Sequence, residues 1–209
     1  MISKQIGWST ESNLLWEILR QLSRLGGVLS NLVKNTTPKY KVFSALVTQS
    51  GGDNPQFNIN TDNGNLVIGV TYEIANYAVG DDFTNIGALS NTNGVSFIAT
   101  GTTAASWSGS SELNYNTGAP IVKVLENTVG NIWFTYQSIG TYYINSINLF
   151  EGTVPTVNTL FGIVETNTER YIGIEKISNS LIRLLSLDSP STNNDGLLTN
   201  TFIEFRIYP

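Results

Sequence analysis

The sequence predicts a mainly β protein, in which an amino-terminal amphipathic helix is followed by a β-sandwich or jelly-roll-like body. Apolar residues recur three and four positions apart between Leu15 and Leu32, which is the spacing of one helix face. From Lys39 onward apolar and polar residues alternate, which is the spacing of β-strands. Turn-forming residues then return about every ten positions, as is typical of short strands in a sandwich or barrel.

The helix is predicted to begin at Ser9 or Thr10, because a hydroxyl there accepts a hydrogen bond from an otherwise unpaired backbone N–H. The adjacent glycines Gly26-Gly27 are expected to break or bend it, since each costs roughly 1 kcal/mol relative to Ala in a helix interior. Pro38 biases the preceding residue away from helical geometry, so the helix should end before it. Residues 1–38 are therefore predicted to form a helical segment for oligomerisation or docking.

The apolar face of this helix predicts a contact with partner helices, either in other copies of the chain or in a larger assembly. In a heptad frame its a and d positions are Leu15, Ile18, Leu22, Leu25, Leu29 and Leu32. Leu14 and Leu19 widen the face, which favours a trimeric bundle, or docking on the chain's own β-domain, over a two-stranded coil. A single amphipathic helix packed on the core is the alternative. Trp8 and Trp16 flank the helix start and join this predicted interface, with Trp16, outside the seam, expected to dock on another protein.

Charge is distributed unevenly along the chain, whose net charge is −5. Six of the eleven basic residues lie at or before Lys41. Between Val42 and Glu169 the only basic residue is Lys123, against ten Asp and Glu. So acidic a region repels phosphate groups, and the sequence therefore predicts no nucleic-acid binding and no polyanionic sugar receptor there.

The chain has neither cysteine nor histidine, which excludes disulfides, thiolate nucleophiles, zinc–thiolate sites and Ser-His-Asp triads. No paired acidic motif is recognisable, because the spacing of Glu73, Glu126 and Glu151 selects no pair for glycoside hydrolysis. We therefore expect a protein that is not an enzyme and that needs no cofactor. No signal peptide and no run of about 18 apolar residues is visible, so we expect a soluble protein without a membrane partner.

The period-two pattern places strands along the rest of the chain. The predicted strands cover residues 40–48, 57–59, 66–74, 84–88, 95–101, 121–125, 132–136, 142–149, 159–164, 170–176, 181–187 and 201–208. Residues 126–131 are predicted to join two of them as a hairpin-like connection. Residues 104–108 are left undecided between strand and loop, and residues 190–195 are predicted to be a polar loop.

Several segments resemble parts of tailed-phage structural proteins. The stretch YKVFSALVTQSGGDNP at 40–55 is similar to the first strand and loop of a small β-sandwich in these proteins. Its usual continuation, APIVKVLENTVGNIW, follows some 65 residues later, at 119–133. The stretch between, with GDDFTNIGA at 80–88 and GVSFIATGTT at 94–103, is similar to a mobile motif of phage virion and tail proteins. FIEFRIYP near the end and IGWSTESNLLWEI near the start also resemble shared segments of gut-phage virion proteins.

The family that these segments resemble is that of the head-fibre and related structural proteins of crAss-like phages, which infect Bacteroidales. The resemblance implies a virion surface protein, assembled in the bacterial cytoplasm, that is trimeric and attaches to other virion proteins through its helix. It also implies that residues 39–54 and 119–209 form the sandwich and that residues 55–118 are an inserted β-module, since loop tips tolerate insertion. The family carries no catalytic residues to transfer. The chain is short for a full tail fibre, and Gly26-Gly27 argues against a long coiled stalk.

Two candidate binding sites remain. Asp81 and Asp82 with Asn85, or Asp53 or Asp62 with nearby Asn, offer oxygen ligands for calcium, although such residues in turns more often cap backbone groups. Trp107 lies in a Ser- and Gly-rich stretch and is the candidate for an exposed receptor contact. An alternative function follows from it, a carbohydrate-binding adhesin module whose partner is a host cell-surface glycan.

Overall fold

The computed structural model describes residues 10–36, 40–49, 57–60, 66–151, 161–165, 168–189 and 191–208. The chain divides into two compact units, Met1–Lys39 and Tyr40–Pro209. The first holds a helix. The second, called the β-body below, holds every strand found in the described residues. The predicted mainly β class is thereby confirmed, with three antiparallel sheets after one amino-terminal helix.

The helix α1 (Thr10–Thr36) begins at the predicted capping region and ends two residues before Pro38. It runs through Gly26-Gly27 without interruption, so the predicted break there is wrong, while the alternative, a bend at the two glycines, stays a prediction. Two glycines lower helix stability by about 2 kcal/mol. Propagating an existing helix gains one hydrogen bond per residue, and good helix formers lie nearby at Arg24, Leu25 and Leu29.

The β-body contains thirteen strands within the described residues. They are β1 (Lys41–Thr48), β2 (Phe57–Asn60), β3 (Thr71–Asn76), β4 (Ser96–Ile98), β5 (Glu112–Asn116), β6 (Ile121–Asn127), β7 (Trp133–Ser138), β8 (Thr141–Asn145), β9 (Phe161–Glu165), β10 (Thr168–Ser178), β11 (Leu181–Ser189), β12 (Thr192–Asn193) and β13 (Thr201–Ile207). The two-residue β12 lies in the stretch predicted to be a polar loop.

A three-stranded sheet places β1 between β13 and β6, antiparallel to both. One face of β1, with Phe43, Ala45 and Val47, is fully buried. Cross-strand partners share a face, so Ile203 and Phe205 of β13 join the same core. This first core also takes in residues of the second sheet.

That second sheet has six strands in the order β7-β8-β11-β10-β9, with β12 paired to β11. Its inward side chains include Phe134, Tyr142, Ile144, Ile182 and Leu184, all buried in the first core. The two sheets thus enclose one apolar core between them. Its buried members come from β1, from Val122 and the residues after it, and from Ile98 at the end of β4.

Residues 126–131 do not form the predicted hairpin. β6 pairs with β1, whereas β7 pairs with β8, so the chain crosses from one sheet to the other here. The Asn127 side chain shapes this crossover: its Oδ1 accepts the N–H groups of Val129 and Gly130, and its Nδ2 donates to the Gly130 carbonyl. Gly130 does lie in a turn, as predicted, but which strands the turn connects depends on pairing between residues that are distant in the chain.

A four-stranded sheet, in the order β2-β5-β3-β4, lies wholly between residues 57 and 116. A second core packs on it, and its buried members are Leu66, Tyr72, Ile74, Phe83, Ile86, Ala88, Phe97, Ala99 and Leu113. The predicted strand 84–88 is instead a 3-10 turn (Thr84–Ile86), and β5 had no predicted counterpart. The boundaries of the inserted module stay a prediction.

Backbone hydrogen bonds join the four-stranded sheet region to the first core. The Gly69 carbonyl accepts the N–H of Val122 at 2.9 Å, while the Gly69 N–H donates to the Ala99 carbonyl at 2.8 Å. A Cβ at Gly69, where φ is +87°, would lie 2.6 Å from the Val122 carbonyl oxygen. Only glycine allows this approach, so Gly69 fixes the turn against β6.

Candidate functional site

The apolar face of α1 is exposed along the part of the helix whose side chains are described. The seam residues Leu15, Ile18, Leu22 and Leu25 are each more than half exposed, as are Leu14, Leu19 and Val28 beside them. Leu29 and Leu32 lie farther along the same helix, with side chains outside the described set, and Trp8 lies outside the described residues. The structure therefore brings the predicted seam to one helix face, open to a partner.

The polar side of the helix carries an aromatic–charge cluster. The Arg20 guanidinium donates to Glu17 Oε1 at 2.6 Å and lies over the Trp16 ring, 5.3 Å from its centre. The hydrogen bond from Arg20 holds the pKa of Glu17 below its usual value. Trp16 is half-buried by these neighbours, outside the seam as predicted.

Asp81, predicted as a calcium ligand, is buried and fully engaged by hydroxyl and backbone donors. Its Oδ1 accepts the Ser108 N–H at 2.6 Å, and its Oδ2 accepts the Ser111 hydroxyl at 2.6 Å and the Ser111 N–H at 3.2 Å. Burial raises the pKa of this carboxyl, but the hydrogen bonds from Ser111 and Ser108 outweigh it and leave the pKa lowered. The charged form is thus held by the chain's own donors.

Asp82 and Asn85 are used in the same way. Asp82 Oδ1 accepts the Asn91 amide at 2.9 Å and the Thr84 N–H and hydroxyl at 2.9 and 2.7 Å, which lowers the Asp82 pKa. Asn85 donates to the Thr103 carbonyl and accepts the Ala105 N–H. These three side chains hold the loops around the second core together, which is the turn-capping role weighed against calcium binding.

Within the described residues no group of three or more acidic side chains converges as a metal site would require. Asp53 and Asp62 lie outside those residues. Glu73 lies on β3 and Glu126 on β6, in different sheets, and Glu151 lies beyond β8.

Trp107, the predicted receptor contact, packs at the edge of the second core. Its ring meets Phe83 edge-on at 5.4 Å, and its indole N–H donates to the Ser111 carbonyl at 3.0 Å. The side chain is half-buried. Part of the indole remains accessible, but its only hydrogen-bond donor is already used, so a sugar would have to bind by stacking alone.

A half-open groove of about 420 Å³ lies beside β6, and no pattern in the sequence predicts it. Its lining includes Val124 of β6, Asn131 and Ile132 of the segment after β6, and Thr84 and Leu89 of the segment after β3. The lining carries no charged side chain. Its size suits a small apolar ligand, but no catalytic group faces it.

No protein-family model matches the chain, and neither the curated proteins nor the solved structures compared with it include a match. Among the described residues, no helix is both long and apolar enough to cross a membrane.

Proposed function

We propose that this chain is a structural surface component of a tailed-phage virion, related to the head fibres of crAss-like phages, that assembles through its amino-terminal helix. Its partners are other copies, as a trimer, and other virion proteins, and it acts without enzymatic activity or cofactor. The observation that carries the proposal is the exposed apolar face of α1. Seven described apolar side chains on that helix are each more than half exposed.

Association of this apolar face with a partner is favourable, because burying each Val, Leu or Ile side chain contributes about 1.5–3 kcal/mol to the free energy of association. Helices of other copies offer the matching surface. Leu at the a positions with Ile18 among the d positions is compatible with three or four strands, and the flanking Leu14 and Leu19 widen the seam beyond what two strands cover. A trimeric coiled coil is therefore the assembly that we propose.

In this proposal the β-body is displayed outward as a sandwich that carries residues 55–118 as an inserted module. Support comes from the separate core of the four-stranded sheet, whose buried members all lie between Leu66 and Leu113. Turns held by side-chain hydrogen bonds, such as those at Asp81 and Asp82, suit a rigid displayed module.

The solution mass of the full chain, compared with that of a version starting at Lys39, tests the proposal. A full chain of three times the monomer mass, with a smaller truncated chain, makes the helix the oligomerisation device. If both are trimers, the β-body assembles by itself and the helix is left for docking. If both are monomers, the trimer is wrong.

A further inference from the structure

The three-stranded sheet has one face in the first core and one face outside it, and the outer face is unusual in composition. On β1 the side chains that point away from the first core are Val42, Ser44, Leu46 and Thr48; the first two are buried and the last two are partly exposed. In a sheet with one face in the core and one face in water, the outward positions of a strand are normally charged or strongly polar. Here the row carries no charge, and it alternates apolar Val42 and Leu46 with the hydroxyl residues Ser44 and Thr48.

The flanking strands place an exposed apolar pair at the middle of this face. Leu46 is paired with Phe202 of β13 on one side and with Lys123 of β6 on the other, and paired residues share a face. Phe202 is 56% exposed and Leu46 is partly exposed. Ile121, at the β6 end of the same face, is 42% exposed.

The charges on this face are balanced, unlike those of the rest of the β-body. Lys123 and Arg206 stand beside Glu126 and Glu204, for a net charge of zero. The residues of the β-body outside β1, β6 and β13 include three basic and twelve acidic ones, a net charge of −9. Copies of so acidic a body repel one another except where a surface is locally neutral.

The balanced charges also offer complementary pairs across a contact. Arg206 donates to Glu204 within its own strand at 2.7 Å and lies over the Tyr40 ring, 4.7 Å from its centre. No ion pair of Lys123 or Glu126 occurs within the described part of the chain. Lys123 of one copy is therefore open to pair with an acidic residue on the same face of the next.

We infer that this outer face, defined by Leu46, Phe202, Lys123, Glu126, Glu204 and Arg206, is a second contact surface between copies of the chain. The inference rests on the proposed helix-driven assembly, because Tyr40 follows the helix after only three residues and joined helices raise the effective concentration of the attached faces. Around the three-fold axis of the proposed trimer, the face of each copy contacts the same surface of its two neighbours in a head-to-tail arrangement.

The absence of cysteine from the chain permits a direct test by thiol labelling. Phe202→Cys places a thiol on the proposed contact, and Ile139→Cys, at a residue 57% exposed in the β7–β8 turn, is the matched control. Both are prepared in the full chain and again with Leu22→Lys, which removes the helix seam. The purified proteins are treated with a maleimide, and masses are measured by light scattering.

We expect the thiol at position 202 to react at least about tenfold more slowly in the assembled chain than in the Leu22→Lys background, and the thiol at 139 to react equally in both, because burial blocks access of the reagent. Loss of assembly in Phe202→Cys but not in Ile139→Cys, with circular dichroism unchanged, supports the contact as well. An assembled chain whose position 202 stays as reactive as position 139 overturns this inference and leaves the helix proposal standing. A full chain that is monomeric overturns both.

Discussion

The Ser111 hydroxyl donates to Asp81 Oδ2 at 2.6 Å and accepts the N–H of Ala78 at 2.9 Å. Ser111 is fully buried and Asp81 nearly so. These hydrogen bonds therefore connect the residue before β5 to the loop after β3, beside the second core. Two aspartates that look like metal ligands in the sequence act here as anchors for loops.

Asp81→Asn is expected to destabilise the protein by about 1–3 kcal/mol, because an amide N–H₂ would face buried donors that now lack an acceptor. The lowered pKa of Asp81 adds a pH dependence. A depressed folded-state pKa contributes stability above the unfolded value of about 3.9 and loses it as the pH falls through the folded value. Urea midpoints from neutral pH down to about pH 3 measure both effects.

Asp188→Asn is the control for this pair, since Asp188 is exposed and accepts one long hydrogen bond from Asn194, at 3.3 Å. We expect it to change the midpoint by less than about 0.5 kcal/mol. An Asp81→Asn variant as stable as the native chain, with the same acid transition, would contradict the anchoring role.

The elements with strong periodicity could be predicted from the sequence alone. The seam of α1 and the alternation of β1 and β13 each repeat over seven or more residues, so local patterning determines them. The exposed helix seam, the main part of the candidate site, was predicted for the same reason.

The missed features depend on contacts between distant residues. Residues 84–88 alternate like a strand, but Asp82 and Asn91 side chains hold that stretch in a 3-10 turn. Asp195, in the predicted polar loop, accepts hydrogen bonds from Tyr136 and Tyr142 of the second sheet. Asn91 lies eight residues from Phe83, and Asp195 lies 59 and 53 residues from Tyr136 and Tyr142, so the period-two pattern does not show these partners.

Leu22→Lys is expected to dissociate the proposed assembly. Leu22 lies at the middle of the seam and is 57% exposed in the single chain. In the assembly, neighbouring helices would cover this position, and burying a lysine charge there is unfavourable. Ser23→Lys adds the same charge one position away, on the polar side of the helix, and should leave the mass unchanged. Light scattering of both variants at equal concentration measures the difference. Equal masses for the two would show that the seam does not mediate association.

Gly26→Ala and Gly27→Ala should each stabilise the helix by about 0.5–1 kcal/mol, because glycine is a poor helix former. A Cβ at either position meets nothing within 4 Å. Circular dichroism should therefore show higher helicity and a higher melting temperature for both. An alanine that lowers the assembly mass instead would mean that neighbouring helices approach closely at the glycine.

Gly140→Ala is expected to lower the free energy of unfolding by more than about 2 kcal/mol. The left-handed backbone alone accounts for about 1–2 kcal/mol of this loss. Gly140 has a φ of +61°, and a Cβ there would lie 2.5 Å from both the Asn194 nitrogen and the Ser186 oxygen. Gly196→Ala is the matched control: its φ is +74°, but nothing lies within 4 Å of its Cβ. Denaturant midpoints that fall equally for the two variants would rule out the close approach at Gly140.

Tyr142 should make the protein sensitive to alkali. Burial raises the pKa of its hydroxyl, and the nearby Asp195 carboxylate raises it further. A raised folded-state pKa means that the folded protein keeps the proton while the unfolded chain loses it near pH 10. Stability is then complete below about pH 10 and falls as the pH rises beyond it, by up to about 1.4 kcal/mol per pH unit.

Tyr142→Phe removes the titrating hydroxyl and its 3.1 Å hydrogen bond to Asp195, so it should lower stability at neutral pH yet flatten the decline between about pH 9 and pH 11. Ile144→Val, in the same strand and core, costs about 0.5–1.5 kcal/mol without removing a titrating group, and should keep the native slope. Urea midpoints across that range compare the three proteins. A Tyr142→Phe variant that declines as steeply as the native chain would assign the alkaline loss to other groups.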